Sequence, residues 1–196
     1  IVPDAVKVGM IPSGDVARAV VDRLHAHGAF NIVVDPVMVA TSGAVLADEG
    51  AVSEELFGMA AVVTPNIPEA EVLLGRVARQ ECWIASEADA EHAAKALARH
   101  FGCAFLVKGG HGAHDANDVL ATPEGDVCWL RAGRVDNPNT HGTGCTLSSA
   151  IACGLAQGLD MPSAVEDAKK YLDGCLRAHL DLGRGSGPLD HMWRFF

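Results

Sequence analysis

The sequence predicts an α/β domain built on a doubly wound, mostly parallel sheet, and three observations carry the prediction. Short uninterrupted apolar runs, Ile32-Val33-Val34, Ala61-Val62-Val63-Thr64 and Phe105-Leu106-Val107, have the form of strands covered on both faces. Amphipathic helical stretches alternate with these runs, which is the pattern of a sheet with helices packed on it. A length of 196 residues, with 49% apolar and 20% charged residues, suits a single domain over residues 1–196 with a sizeable core.

Each element follows in order. Ala5-Val6-Lys7-Val8-Gly9-Met10 reads as a buried strand almost at once, and because Ile1 is not an initiator methionine a preceding segment is expected. Ser13 caps a helix whose residues Val16, Val20, Val21 and Leu24 share one face and which ends near Gly28. The strand at Ile32 is ended by Asp35-Pro36; a Gly- and Ala-rich loop over 40–44 and a helix over 53–59 lead to the strand at Ala61, which Pro65 stops. A helix begins around Pro68-Glu69, since proline is tolerated in a first turn and Glu69 and Glu71 complement the dipole. Ser86-Glu87-Ala88-Asp89 is a capping signal for a helix with Ala93, Ala94, Leu97 and Phe101 inward. After the strand at Phe105, Val119-Leu120-Ala121 and Val127-Cys128-Trp129 flank a turn cluster, Thr122-Pro123-Glu124-Gly125-Asp126, and form an antiparallel hairpin at a sheet edge. A helix follows Gly142, and a last one spans about 163–182 after Asp160-Met161-Pro162.

Composition narrows the function. A formal charge of -10 and a pI near 5.2 argue against nucleic acid or an anionic membrane surface as partner. No apolar run reaches membrane-span length and no signal segment opens the chain, so a soluble cytoplasmic protein is expected. The six cysteines at 82, 103, 128, 145, 153 and 175 form no C-x-x-C pair, and buried thiols account for most of them. His111, His114 and His141 show no zinc spacing with the cysteines.

The chemistry concentrates after the predicted strands, where ligands bind in open α/β sheets. In Pro138-Asn139-Thr140-His141-Gly142-Thr143-Gly144-Cys145-Thr146 two glycines bring backbone N–H groups to the start of a helix, whose positive dipole end favours an anion. Cys145 in that first turn adds an acid-base group. Asp35, Asn66 with Glu69, and Lys108-Gly109-Gly110 end the other strands. Oxygen ligands, a lysine and an anion-binding turn are the parts of a magnesium-phosphate site and suggest phosphoryl transfer. Each residue also has a plainer reading: Asp35 and Asn66 as turn caps, Lys108 as a solvated strand end, Gly142 and Gly144 as packing glycines, Cys145 as a small hydrophobe. Neither G-x-x-x-x-G-K-[ST] nor a G-x-G-x-x-G opening the first helix is present.

Four ordered motifs carry a family resemblance: Asp35-Pro36-Val37-Met38-Val39-Ala40, Thr64-Pro65-Asn66-Ile67-Pro68-Glu69-Ala70-Glu71, Val107-Lys108-Gly109-Gly110-His111, and Gly142-Thr143-Gly144-Cys145-Thr146. Together they resemble the hydroxymethylpyrimidine/phosphomethylpyrimidine kinases of thiamine biosynthesis, in the ribokinase-like superfamily, collinearly over nearly the whole chain. The ending Gly185-Ser186-Gly187-Pro188-Leu189-Asp190-His191 resembles the family's terminal motif, with Asp190 where asparagine is more usual. The resemblance implies a three-layer fold and ATP- and Mg2+-dependent phosphorylation of 4-amino-5-hydroxymethyl-2-methylpyrimidine, then of its monophosphate. It implies Asp35, Asn66 and Glu69 at the metal, and Lys108, Gly110, Thr140, Gly142, Gly144 and Asn66 at the nucleotide. Gly142, Thr143, Gly144 and Lys108 would act on the transferred phosphoryl group, with Cys145 as base, and Met10, Val37 and Cys145 would line the substrate pocket. Thr41 stands where the family often has lysine. The resemblance also implies a homodimer and a glycine-rich first strand and turn preceding the segment that matches Ile1, so this chain is expected to be N-terminally truncated. Two other readings stay open: a pyridoxal kinase of the same branch, and a non-catalytic nucleotide-binding remnant.

Overall fold

A computed structural model describes residues 2–38, 53–109, 115–180, 182–184 and 186–195. Four strands, β1 (Val6–Val8), β2 (Ile32–Val34), β3 (Val62–Val63) and β4 (Ala104–Lys108), pair in parallel in chain order. The hairpin β5 (Asp118–Ala121) and β6 (Val127–Leu130) extends the same sheet antiparallel, with β6 at its edge as predicted. Both faces carry helices, but the order β1-β2-β3-β4-β5-β6 has no reversal, which corrects the doubly wound expectation. Parallel crossovers of one hand that always advance in one direction leave their helices on one face. α1 (Gly14–Ala26), α2 (Glu54–Gly58), α3 (Ile67–Ala78) and α4 (Glu87–Phe101) accordingly share a core with Val8, Val34, Val63 and Phe105. Only after the hairpin do α5 (Thr143–Ala156) and α6 (Met161–Arg177) cover the other face, over Val33, Val62 and Leu106. A short 3-10 turn, Trp193–Phe195, closes the chain.

Five helix starts are fixed by side-chain caps. Ser13, Ser53, Asn66, Ser86 and Asp160 each accept the N–H three residues on, which satisfies a donor that the helix leaves unpaired. α5 differs: its N-cap is Gly142 at φ 84°, and no side chain caps it. Glycine is needed there because an L side chain is strained in the left-handed region.

Three local expectations change. Val16 is 40% exposed and Ala17 takes its place inward; Val16 and Val20 instead line an apolar groove of about 740 Å3 beside β1, with Val6 and Val8. α6 starts two residues earlier than predicted and stops at Arg177, since His179 adopts φ 49° and Leu182, read as its last apolar residue, is 60% exposed. Only Cys103 and Cys175 are buried, while Cys128, Cys145 and Cys153 are exposed. Burial pushes the Cys103 thiol up to about 12. The loop over 40–44, including Thr41, and Gly110, His111 and His114 lie outside the described residues. Among the described residues no helix is long and apolar enough to cross a membrane.

Candidate active site

Asp35 directly follows β2, and its N–H donates to Val8 O at 2.9 Å, so the sheet's own ladder fixes its backbone. By strand alternation it lies on the same face as Val33, under α5. The carboxylate is 2% exposed and receives two bonds on Oδ1, from Lys108 Nζ at 3.0 Å and Thr64 Oγ1 at 3.2 Å. Lys108 ends β4, retains a 16% exposed side chain, and crosses above β3 to reach Asp35. A buried carboxylate without a cation would be costly, and this pairing offsets the cost while keeping the ammonium at the sheet's rim.

Asn66 and Glu69 form the capping box of α3. Asn66 Oδ1 accepts from Glu69 N at 2.9 Å and Glu69 Oε2 accepts from Asn66 N at 2.8 Å, so the plainer reading of Asn66 as a cap holds in this conformation. Glu69 is buried, which is rare for a glutamate at a helix start and exceeds what capping needs. Burial raises its carboxyl above the ordinary value; the bond from Asn66 N–H, the Lys108 charge and a Met38 N–H oppose this, while the Asp35 charge adds to it.

The first turn of α5 arrives at this pair. A Cβ added at Gly144 would lie 3.4 Å from both Asp35 Oδ2 and Lys108 Nζ, so the glycine opens the approach between the helix terminus and the charged pair. Thr146 N is bonded to Gly142 O, and with no side-chain cap the N–H groups of Gly144 and Cys145 point out of the helix end. Thr143 N reaches Thr140 O at 3.4 Å, which ties Thr140 to the same turn through its backbone. Ser148 Oγ donates to Gly144 O at 2.9 Å and steadies the turn from inside. On the far side Cys145 Sγ accepts from Lys7 Nζ at 3.6 Å.

Surrounding bonds hold these pieces. Gly109 N donates to Asp118 Oδ1 at 2.9 Å, and Asp118 is itself paired with Lys169 of α6. Any side chain at Gly109 would meet Asn117 O at 1.9 Å, so the turn after Lys108 admits only glycine. Upstream of α5, Asn137 Nδ2 donates to Leu176 O at 2.6 Å and Gly187 N donates to Asn139 Oδ1 at 2.7 Å. The Gly187 segment thus anchors the loop that delivers the Gly142 turn.

The fold therefore gathers Asp35, Lys108, Gly144 and Cys145, with Gly142 and Thr143 in the same turn and Glu69 within electrostatic reach of Asp35 and Lys108. Met10, 51% exposed, and Val37, half-buried, sit past the carboxyl ends of β1 and β2, on the same rim but without a bond to the cluster. Sequence reasoning missed Thr64, Asp118 and Lys7; the one available signal was a lysine inside the otherwise apolar run Val6-Lys7-Val8. Among the described residues no three Asp, Glu, His or Cys side chains form a cage for a metal. Two neighbouring buried carboxylates, Asp35 and Glu69, fit Mg2+, which is usually held by one or two carboxylates plus substrate phosphates and keeps several waters.

The chain is similar to known proteins in sequence and fold. A family model described as phosphomethylpyrimidine kinase matches residues 1–190. A hydroxymethylpyrimidine/phosphomethylpyrimidine kinase of Rhizobium meliloti is 43% identical over 98% of this chain and 72% of its own. The crystal structure of an ADP complex of Bacillus subtilis pyridoxal kinase superposes with a TM-score of 0.84 at 30% identity, over 98% of this chain and 72% of that one. Phosphomethylpyrimidine kinase from Clostridium difficile gives 0.70 at 32% identity, over 87% and 68%. The fold is the ribokinase-like one of these kinases, and the chain belongs to the phosphomethylpyrimidine kinase family.

Proposed function

We propose that the protein is a cytoplasmic kinase that transfers the γ-phosphoryl group of ATP to 4-amino-5-hydroxymethyl-2-methylpyrimidine and then to the resulting monophosphate, in thiamine biosynthesis, with Mg2+ as cofactor. The observation that carries this reading is the uncapped N-terminus of α5 lying against the Asp35–Lys108 pair, with Cys145 in its first turn.

In the first step Cys145, as its thiolate, takes the hydroxyl proton and becomes the thiol as the hydroxymethyl oxygen bonds to the γ-phosphorus and the bond to the ADP oxygen breaks. The N–H groups of Gly144 and Cys145 donate to the transferred oxygens, with the turn at Gly142 and Thr143 holding them in place. Lys108 neutralises charge on the nucleotide phosphates, and Gly110 and Thr140 are assigned to nucleotide binding from the family resemblance. Asp35, Asn66 and Glu69 would hold the metal, and Mg2+ bound there would supply positive charge to the phosphate oxygens. In the second step the acceptor is already largely ionised near pH 7, so little proton removal is needed. Met10 and Val37 wall the pyrimidine side.

The assay follows ADP release with ATP, Mg2+ and one acceptor at a time. Turnover is expected with both pyrimidines and at a higher kcat/KM than with pyridoxal. A preference for pyridoxal would move the assignment to pyridoxal kinase, the activity named for the Bacillus subtilis neighbour. ATP binding without turnover on any acceptor would leave a nucleotide-binding remnant. Assembly as a homodimer is proposed from the apolar groove beside β1, and sedimentation as a monomer would refute it.

A further inference from the structure

Lys7 interrupts a row that is otherwise apolar. Strand pairing aligns Lys7 with Val33, Val33 with Val62 and Val62 with Ala104, all on the face covered by α5. Packing alone calls for a fourth apolar side chain, yet an ammonium stands there. Two features accommodate it. A Cβ at Gly9 would lie 2.8 Å from Lys7 Nζ, so the missing side chain makes room for the charge, and the ammonium ends 3.6 Å from Cys145 Sγ. Among the described residues no carboxylate pairs with Lys7, whereas Lys108 and Lys169 are each matched to a buried aspartate. In a chain of net charge -10, a cation that no described carboxylate neutralises, beside the proposed acceptor position, suits an anionic ligand.

The two acceptors differ in one respect that such a cation can read. The alcohol is neutral, while its monophosphate carries about -1.5 to -2 charges near pH 7. We infer that Lys7 binds the phosphate of the monophosphate acceptor beside Cys145 and so favours the second phosphorylation over the first; this rests on the proposed function. The ammonium donates to a phosphate oxygen that is not the attacking one, in place of its contact with the thiol, and no bond to Lys7 forms or breaks covalently.

The test compares wild type with Lys7→Met, which keeps the aliphatic stem, Lys7→Gln, which keeps a polar end, and Lys7→Arg, which keeps the charge. Each is assayed for kcat/KM with both acceptors and, without ATP, for calorimetric affinity toward the monophosphate. Thermal unfolding checks that each is folded. Both neutral variants are expected to shift the ratio of kcat/KM for monophosphate over alcohol by on the order of 10- to 100-fold, the weight of a charged hydrogen bond, and to weaken monophosphate binding in parallel. Lys7→Arg is expected to recover most of both. Equal losses on the two acceptors, or unchanged monophosphate affinity in whichever neutral variant folds, would overturn the inference. Wild type inactive on both pyrimidines would instead overturn the proposed function, so the two failures are told apart.

Discussion

Replacing Lys108 with methionine keeps most of the side-chain volume and removes the charge that faces Asp35. Asp35 is 2% exposed and Lys108 lies 3.0 Å away with 16% of its side chain exposed. Stripping one partner from a buried pair typically costs about 3–5 kcal/mol, because the other charge is stranded. Here the Thr64 hydroxyl still donates to Asp35 and the ammonium is at the rim, so the lower end, about 3 kcal/mol, is expected. With a urea m-value of about 2 kcal/mol/M, the unfolding midpoint should fall by roughly 1.5 M. Asp35→Asn in the same background should recover about 2 kcal/mol, since no uncompensated carboxylate is then left. The assay is urea unfolding of wild type, both single variants and the double variant. Additivity of the two single effects to within about 0.5 kcal/mol would show that the two groups do not depend on each other and would refute the reasoning. The same Lys108→Met variant, saturated with ATP, should also lose about 100- to 1000-fold in kcat if the ammonium serves the transferred phosphoryl group.

Three further outcomes are expected. Cys145→Ala should slow phosphorylation of the alcohol by about 100- to 10,000-fold and of the monophosphate much less; equal first-step rates for variant and wild type would remove Cys145 as base. Gly142→Ala must hold φ 84° with a Cβ, at about 1–2 kcal/mol, and calorimetry should show a midpoint lowered by about 2–8 °C; an unchanged midpoint would mean the turn does not need glycine. Burial raises the Glu69 carboxyl above its ordinary 4.5, so the folded chain holds that proton more tightly than the unfolded one. Its contribution to stability is full below the unfolded value and is lost as pH rises through the raised folded value. Glu69→Gln should therefore lose less stability than wild type from about pH 4 upward, read as urea midpoints, and parallel curves would contradict it.

Local rules made most of the fold legible. Ser13, Ser53, Ser86 and Asp160 announce helix starts because their side chains satisfy donors a few residues away, and the hairpin is announced by the turn cluster between two apolar runs. Strand order was not legible, because which strands pair depends on contacts far apart in sequence. The end of α6 was misjudged for a related reason: Leu180 and Leu182 continue an apolar period, but a left-handed His179 has already turned the chain away. In the site, Asp35, Glu69, Lys108 and the Gly142 turn could be found because each follows a strand or opens a helix. Lys7, Thr64 and Asp118 lie within or directly after strands, and only the assembled sheet shows that Thr64 and Asp118 support the rim while Lys7 reaches Cys145 from below.

Asp35 and Lys7 obtain their direction from strand parity alone. Each shares with Val33 the face under α5, and a slip of β2 by one residue would turn Pro36 toward α5 in place of Asp35 and bring Val34 out of the other core. Burial of the valines thus proofreads the placement of the charges: a misregistered sheet loses its core and its site together. Changes of length in the connections between strands leave that parity untouched, so this architecture can vary in its loops while the rim holding Asp35 and Lys108 stays in frame.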